Sequence, residues 1–235
     1  MQECVSAKND VERTKWLSLS NDFALATTTN VKEPDSFVFC VFSFVLQHPG
    51  ATVYVFSVDD NDKYEKSQIE MLAKAFKDCH FVFVSKDAFY STKKVADVDK
   101  DIARYLHDNA KNISRILYVS PMCMFKDNVE ELFSMQFEGR DILSPISLED
   151  NSKTCSEVEL VNIDGLCKDK DSISVGQLPA KYCFKYINEK YGHCFEDAKI
   201  LLFEHARNKV SKVVQEKEIL KAQLDCIKGA YETNE

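Results

Sequence analysis

The sequence is short of several things, and each shortage removes a class of explanation. No apolar run is long enough to cross a bilayer as a helix. The longest, Phe37 to Leu46, covers ten residues with only Ser43 interrupting it, and a span needs about 20. Basic charge is scarce: Lys and Arg number 30 against 38 Asp and Glu, a formal net charge of −8. That balance argues against a nucleic-acid binder working through a basic face, because phosphate neutralisation needs clustered cations. The polar, mixed-charge stretch from Met1 to Asp22 lacks the apolar core of a secretory signal. There is no internal repeat and no low-complexity tract.

The nine cysteines also lack a pattern. Cys4, Cys40, Cys79, Cys123, Cys155, Cys167, Cys183, Cys194 and Cys226 form no C-x-x-C pair, and their number is odd. Several, such as Cys40 and Cys123, sit inside apolar runs. This spacing points to free buried thiols in a reducing compartment rather than a disulfide framework, and away from a structural zinc site. The expected location is therefore intracellular, cytoplasmic or nuclear.

What is present is a 45% hydrophobic chain of 235 residues, enough for one large domain with a sizeable core. Phe23 to Thr28 reads as a strand. Phe37, Cys40, Val41, Phe44 and Val45 recur at helical spacing with apolar neighbours, which predicts a helix buried nearly all round; its β-rich composition leaves a strand open. Thr52 to Val58 is a β-branched and aromatic run typical of a covered parallel strand. Asp59 to Asp62 then caps a helix carrying Ile69, Leu72, Ala73 and Phe76. A substitute metal site on those acids is the competing reading. Phe81 to Val84 is a further strand, 99–109 a helix and Ile116 to Val119 another strand. The alternation predicts a doubly wound sheet. Beyond it, 142–146, 158–163 and 198–203 read as strands. A charged helix runs from about His205 to Tyr231. The chain divides into a polar lead-in (1–21), one α/β domain (22–204) and a C-terminal helical extension (205–235).

The order of short signatures resembles glycosyltransferase family 8, the glycogenin-like group. Phe23-Ala24-Leu25-Ala26-Thr27 is similar to that family's first strand, and Val53 to Asp60 to its second. Arg104 lies 14 residues before Tyr118, near the spacing of the family's Arg and its "hLY" strand. Asp127 to Phe133, Leu178-Pro179-x-x-Tyr182 and Lys199 to Phe203 resemble later segments in the right order. The resemblance covers about residues 22 to 204. It implies a GT-A (nucleotide-diphospho-sugar transferase) fold: a single α/β domain with a mostly parallel central sheet flanked by helices. It also implies Thr27, Thr28 and Arg104 as nucleotide contacts. Arg104 has a second reading, a helix-surface ion pair with Asp101 or Asp108.

The departures matter more for function. The family's D-x-D grips Mn²⁺ with two carboxylates, and the cation neutralises the leaving diphosphate. Here those slots read Ser120 and Met122, and the third ligand, a His, is Leu202. A hydroxyl is a poor substitute, and a thioether is a soft donor mismatched to a hard cation. His205 lies three residues past the lost slot, but one imidazole without carboxylates makes no Mn²⁺ site. The "NSG" turn is Cys155-Ser156-Glu157 here. The expectation is a pseudoenzyme without a metal cofactor, acting through other proteins or a second copy of itself. The alternatives are a metal-independent transferase, with Arg104 or Lys126 neutralising the diphosphate, and a nucleotide-sugar sensor. The element expected to make protein contacts is the C-terminal helix through Val210, Val213, Val214, Leu220 and Leu224. Ordinary docking of that helix on the body is the other reading of the same residues.

Overall fold

The computed structural model describes residues 23–29, 35–59, 62–89, 98–148, 152–168, 172–185, 195–202 and 211–232. The lead-in, Phe203, His205 and Val210 lie outside the described residues.

Four strands form one half of the main sheet: β1 (Phe23–Thr28), β2 (Thr52–Phe56), the edge strand β3 (His80–Val84) and β4 (Arg115–Val119). Their pairings with one another are all parallel, with Leu25 opposite Val53 on one side and Leu117 on the other. β6 (Ile142–Pro145), β7 (Val158–Asn162) and β8 (Val175–Leu178) complete a seven-stranded sheet in the order β3-β2-β1-β4-β7-β6-β8. Only β7 runs against the rest. A second sheet of three strands joins β5 (Cys123–Phe125), β10 (Ile200–Leu202) and β9 (Phe184–Lys185) in the order β5-β10-β9. The expected strand at 198–203 therefore exists, but it belongs to this small sheet.

Alternate residues of each strand feed two cores, as the period of two requires. Leu25, Val53, Leu117 and Leu160 face one side, which is covered by α1 (Ser36–Gln47), α2 (Lys63–Ala75) and the small sheet. Ala24, Tyr54, Ile116 and Val161 face the other, covered by α3 (Lys86–Phe89), α4 (Val98–Asn109) and α6 (Ile163–Leu166). A last short helix, α5 (Glu130–Phe133), follows β5.

α1 is a helix despite its β-rich composition. It lies between the main sheet, the small sheet and the C-terminal helix, so seven of its apolar residues from Phe37 to Val45 are buried. Two polar groups on this helix and at its end are tied off inside that core. The Ser43 hydroxyl donates to Cys40 O and accepts from the Phe125 amide. His48 ends the helix: its Nδ1 bonds Phe44 O, and its Nε2 accepts from the Val129 amide. Both ring nitrogens are satisfied only by the neutral tautomer protonated on Nδ1.

α7 (Ser211–Glu232) packs on α1 and α2. Leu224 is 2% exposed, and Leu220 and Ile227 press on the same core. The spacing of these three, i, i+4 and i+7, is one helical stripe. Leu220 and Leu224, two of the residues expected at a partner contact, thus lie on the face of α7 turned to the chain's own body, the arrangement of the docking reading. Val213 and Val214 fall within α7, with side chains outside the described set. A correction concerns the cysteines. Cys155 and Cys183 form a disulfide, where free thiols were expected. Among the described residues Cys40, Cys79, Cys123, Cys167 and Cys226 are outside any disulfide. No described helix is long and apolar enough to cross a membrane.

Candidate functional site at the carboxyl edge of the sheet

In an open parallel sheet, ligands bind outside the carboxyl ends of the strands where the strand order reverses. Here the chain adds β2 and β3 on one side of β1 and then returns to place β4 on the other. The carboxyl ends of β1 and β4 therefore mark the candidate site. Thr27, Thr28 and Thr29 leave β1 there, and Ser120, Pro121 and Met122 leave β4.

Two of the threonine hydroxyls, those of Thr27 and Thr29, bond the backbone of neighbouring segments. Thr27 is fully buried, and its hydroxyl donates to Val119 O at 2.7 Å, stapling β1 to β4. Thr28 is buried in the edge of the sheet. The Thr29 hydroxyl accepts from the Val58 amide. The β4 turn is closed in the same way. The Ser120 Oγ accepts from the Met122 amide at 3.3 Å, and Ser120 O accepts from the Cys123 amide at 3.0 Å.

Leu202 stands opposite Cys123 in the small sheet. The fold thus brings the region of Ser120, Met122 and Leu202 together through the β5–β10 pairing. Met122 is 7% exposed and Leu202 3%, and both belong to the apolar core. The Mn²⁺ that the resemblance implies does not fit these residues. One hydroxyl, already bonded to backbone, one thioether and one aliphatic side chain offer no hard anionic donor.

Arg104 lies elsewhere. Its side chain is 63% exposed and meets Asp101 at 3.5 Å, the surface-pair arrangement. Its charge is felt by Cys167, which follows α6; burial raises that thiol's pKa and Arg104 counters the shift. α6 continues from Asn162, which pairs with Arg115 at the amino end of β4. Arg104 is therefore associated with elements at the opposite end of β4 from Ser120. Lys126 donates to Phe195 O and Glu196 O at 3.1 and 2.8 Å, fastening the 195–198 turn to the small sheet. Lys199 bonds Asp127 at 2.6 Å, and that contact leads the causes holding the Asp127 carboxyl below its usual pKa. The Asp59–Asp62 run precedes α2, but Asp62 makes no side-chain cap bond.

Among the described residues, ionisable groups beside the end of β4 come from β7 and the turn before it. β7 is antiparallel to β4, with Val158 opposite Val119, so Glu157 falls beside Ser120. Glu157 O accepts from the Ser120 amide at 2.7 Å. Its carboxylate lies 3.0 Å from Cys155 Sγ. Glu159 is buried opposite Tyr118 and bonded by the Ser144 hydroxyl at 3.3 Å. Reasoning from sequence missed Glu159 as a buried carboxylate. Its only signal is its place between the apolar Val158 and Leu160.

No known family profile matches the sequence, and no curated protein matches it. Solved structures do. An active-site mutant of LgtC superposes with a TM-score of 0.63 at 10% identity, covering 86% of this chain and 95% of that one. The glycosyltransferase GlyE of Streptococcus pneumoniae TIGR4 gives 0.56 at 13% identity, over 77% of this chain and 55% of that one. Mouse xyloside xylosyltransferase 1, in its apo form, gives 0.55 at 12% identity, over 79% and 98%. At such identities the likeness concerns the fold.

Proposed function

We propose that this chain, whose fold is that of the GT-A glycosyltransferases, is a degenerate, family-8-like member of that fold, a pseudoenzyme that acts through contacts with other proteins. One observation carries this reading. The three positions where the resembling family holds its metal are Ser120, Met122 and Leu202, and the last two are packed into the hydrophobic core. Moving a metal and a diphosphate into that space would require opening the core and burying charge without anionic partners, which is costly. A metal-independent transfer needs another cation at the carboxyl edge to take the diphosphate charge. Neither Arg104, paired with Asp101, nor Lys126, bonded to two carbonyls, favours that alternative.

The test is to incubate the purified chain with UDP- and GDP-sugars, with and without MnCl₂, following sugar release and thermal shift. The expected result is no Mn²⁺-dependent release and no Mn²⁺ binding by calorimetry. Turnover stimulated by Mn²⁺ would overturn the reading. A thermal shift with a nucleotide-sugar but no release would move the assignment to a sensor.

A further inference from the structure

The same sheet edge that lacks a site for a hard cation carries the donors of a softer one. The Sγ atoms of Cys155 and Cys183, joined in the disulfide, and a carboxylate oxygen of Glu157 all lie within 4.8 Å of one another. They come from two segments, Cys155 and Glu157 from the chain entering β7 and Cys183 from the chain leaving β8, and the sheet topology brings the two together. β8 lies beside β6 with Leu178 opposite Pro145, and the Ile146 amide bonds Leu178 O. The chain leaving β8 turns through Ala180–Tyr182 and delivers Cys183. The chain entering β7 delivers Cys155, whose amide bonds Pro145 O at 2.8 Å. Glu157 is anchored by its carbonyl to Ser120. The backbone positions are therefore fixed by bonds that do not involve the ligand atoms.

We propose that the reduced protein binds one Zn²⁺ through Cys155 Sγ, Cys183 Sγ and the Glu157 carboxylate, and that the Cys155–Cys183 disulfide is the metal-free alternative state of the same site. Two thiolates and a carboxylate suit a borderline-soft d¹⁰ cation and leave one tetrahedral position for water or an incoming donor. At Zn–S distances of about 2.3 Å the two sulfurs sit about 3.8 Å apart. The Cα atoms are already 6.7 Å apart, near the long end of what a disulfide spans, so the sulfurs separate by side-chain rotation with little backbone movement. Conversion to the binding state takes two equivalents of a thiol reductant. The protein S–S bond breaks and accepts two electrons and two protons, while the reductant forms its own disulfide. Zn²⁺ then displaces both thiol protons to solvent. This site is independent of the pseudoenzyme reading, since it uses none of Ser120, Met122 or Leu202 as a ligand.

The experiment compares the full chain in two states: air-oxidised, and reduced with excess glutathione then desalted under nitrogen. Each is titrated with Co²⁺ as a spectroscopic probe and then with Zn²⁺. The reduced chain should develop thiolate-to-cobalt charge-transfer absorption saturating at one equivalent, displaced by Zn²⁺, and the oxidised chain none. Cys155→Ser and Cys183→Ser should each weaken zinc binding by at least about tenfold, and Glu157→Gln should weaken it while keeping the thiolate band. Cys226→Ser, at an exposed free thiol, should leave the titration unchanged. Absence of the band in the reduced wild type, equal binding in the oxidised form, or a loss in Cys226→Ser matching that in Cys155→Ser would overturn the proposal. The wild-type redox comparison needs no variant to fold. Mass-spectrometric alkylation adds a readout: zinc should protect Cys155 in the reduced chain, and unchanged labelling would count against the site.

Discussion

α1 and α7 are both helices with apolar faces on one core, but they are attached in different ways. α1 is buried along most of its surface, with Leu46 exposed near its end, and two of its buried polar groups, Ser43 and the capping His48, are bonded to β5 and to the start of α5. α7 touches the body along the stripe Leu220, Leu224 and Ile227, while Glu218, Ile219, Lys221, Gln223 and Asp225 face outward. The first helix is the middle layer of the fold. The second is a cover. The difference teaches that an apolar pattern alone does not say whether a helix seals a core or seeks a partner; the count of faces it must bury does.

Truncation to alanine should separate the two. Phe44 is fully buried, stacked on His48 at 4.4 Å and edge-on to Phe125 at 4.9 Å. Phe44→Ala should cost about 3–5 kcal/mol. Leu224→Ala removes a smaller side chain from a site with one solvent-facing layer, and should cost about 2–3 kcal/mol, the lower part of the range for such changes. Urea unfolding of both variants measures the order. Equal costs would mean that α7 is as integral as α1. Deletion of 212–235, which leaves the Leu224 contact surface open, should lower the denaturation midpoint rather than leave the body untouched.

Much of this architecture was legible in the sequence because parallel strands covered on both faces read as unbroken apolar runs. β1 to β4, α1, α2 and α4 fall where periodicity puts them. The small sheet was not legible in that way. Its strands are two or three residues long, too short to show a period, and they exist because β5 and β10 find each other across the fold. The candidate site divides along the same line. Ser120, Met122 and Leu202 could be named from the order of motifs. The partnership of Cys155 with Cys183 could not, because it depends on β8 lying next to β6, a fact of topology. Arg104 shows the converse, a plausible spacing that the helix directs to Asp101.

His48 gives the end of α1 a pH dependence of its own. Burial lowers its pKa from 6.5 to about 4, outweighing the opposing effects of the Phe44 carbonyl and of Asp127. The unfolded chain therefore binds this proton more readily than the folded one. The neutral ring's stabilisation is fully present above pH 6.5 and is lost as pH falls towards 4, with a total of about 3 kcal/mol. Carboxylates titrate nearby, so the comparison is with His48→Gln, whose amide can donate and accept without charging. The wild type should lose more stability than this variant between pH 7 and pH 4, measured by urea midpoints. Parallel pH profiles would place the cause elsewhere.

The smallest effect on stability belongs to the outer face of α7, and there the comparison bears on function. Ile219 is 54% exposed, an apolar side chain among Glu218, Lys221 and Gln223. Because it lies off the inward stripe, Ile219→Lys should shift unfolding by no more than about 0.5 kcal/mol. A lysine there would nonetheless place a charge in any interface formed over this face, and a desolvated charge without a partner opposes association strongly. If the chain works through self-association across the cover helix, light scattering over a concentration series should show the wild type associating and Ile219→Lys shifted towards monomer at equal stability. Undiminished association in Ile219→Lys would move the contact surface off this face. A large loss of stability in the same variant would show that the outer face is also core, and would erase the distinction between the two helices.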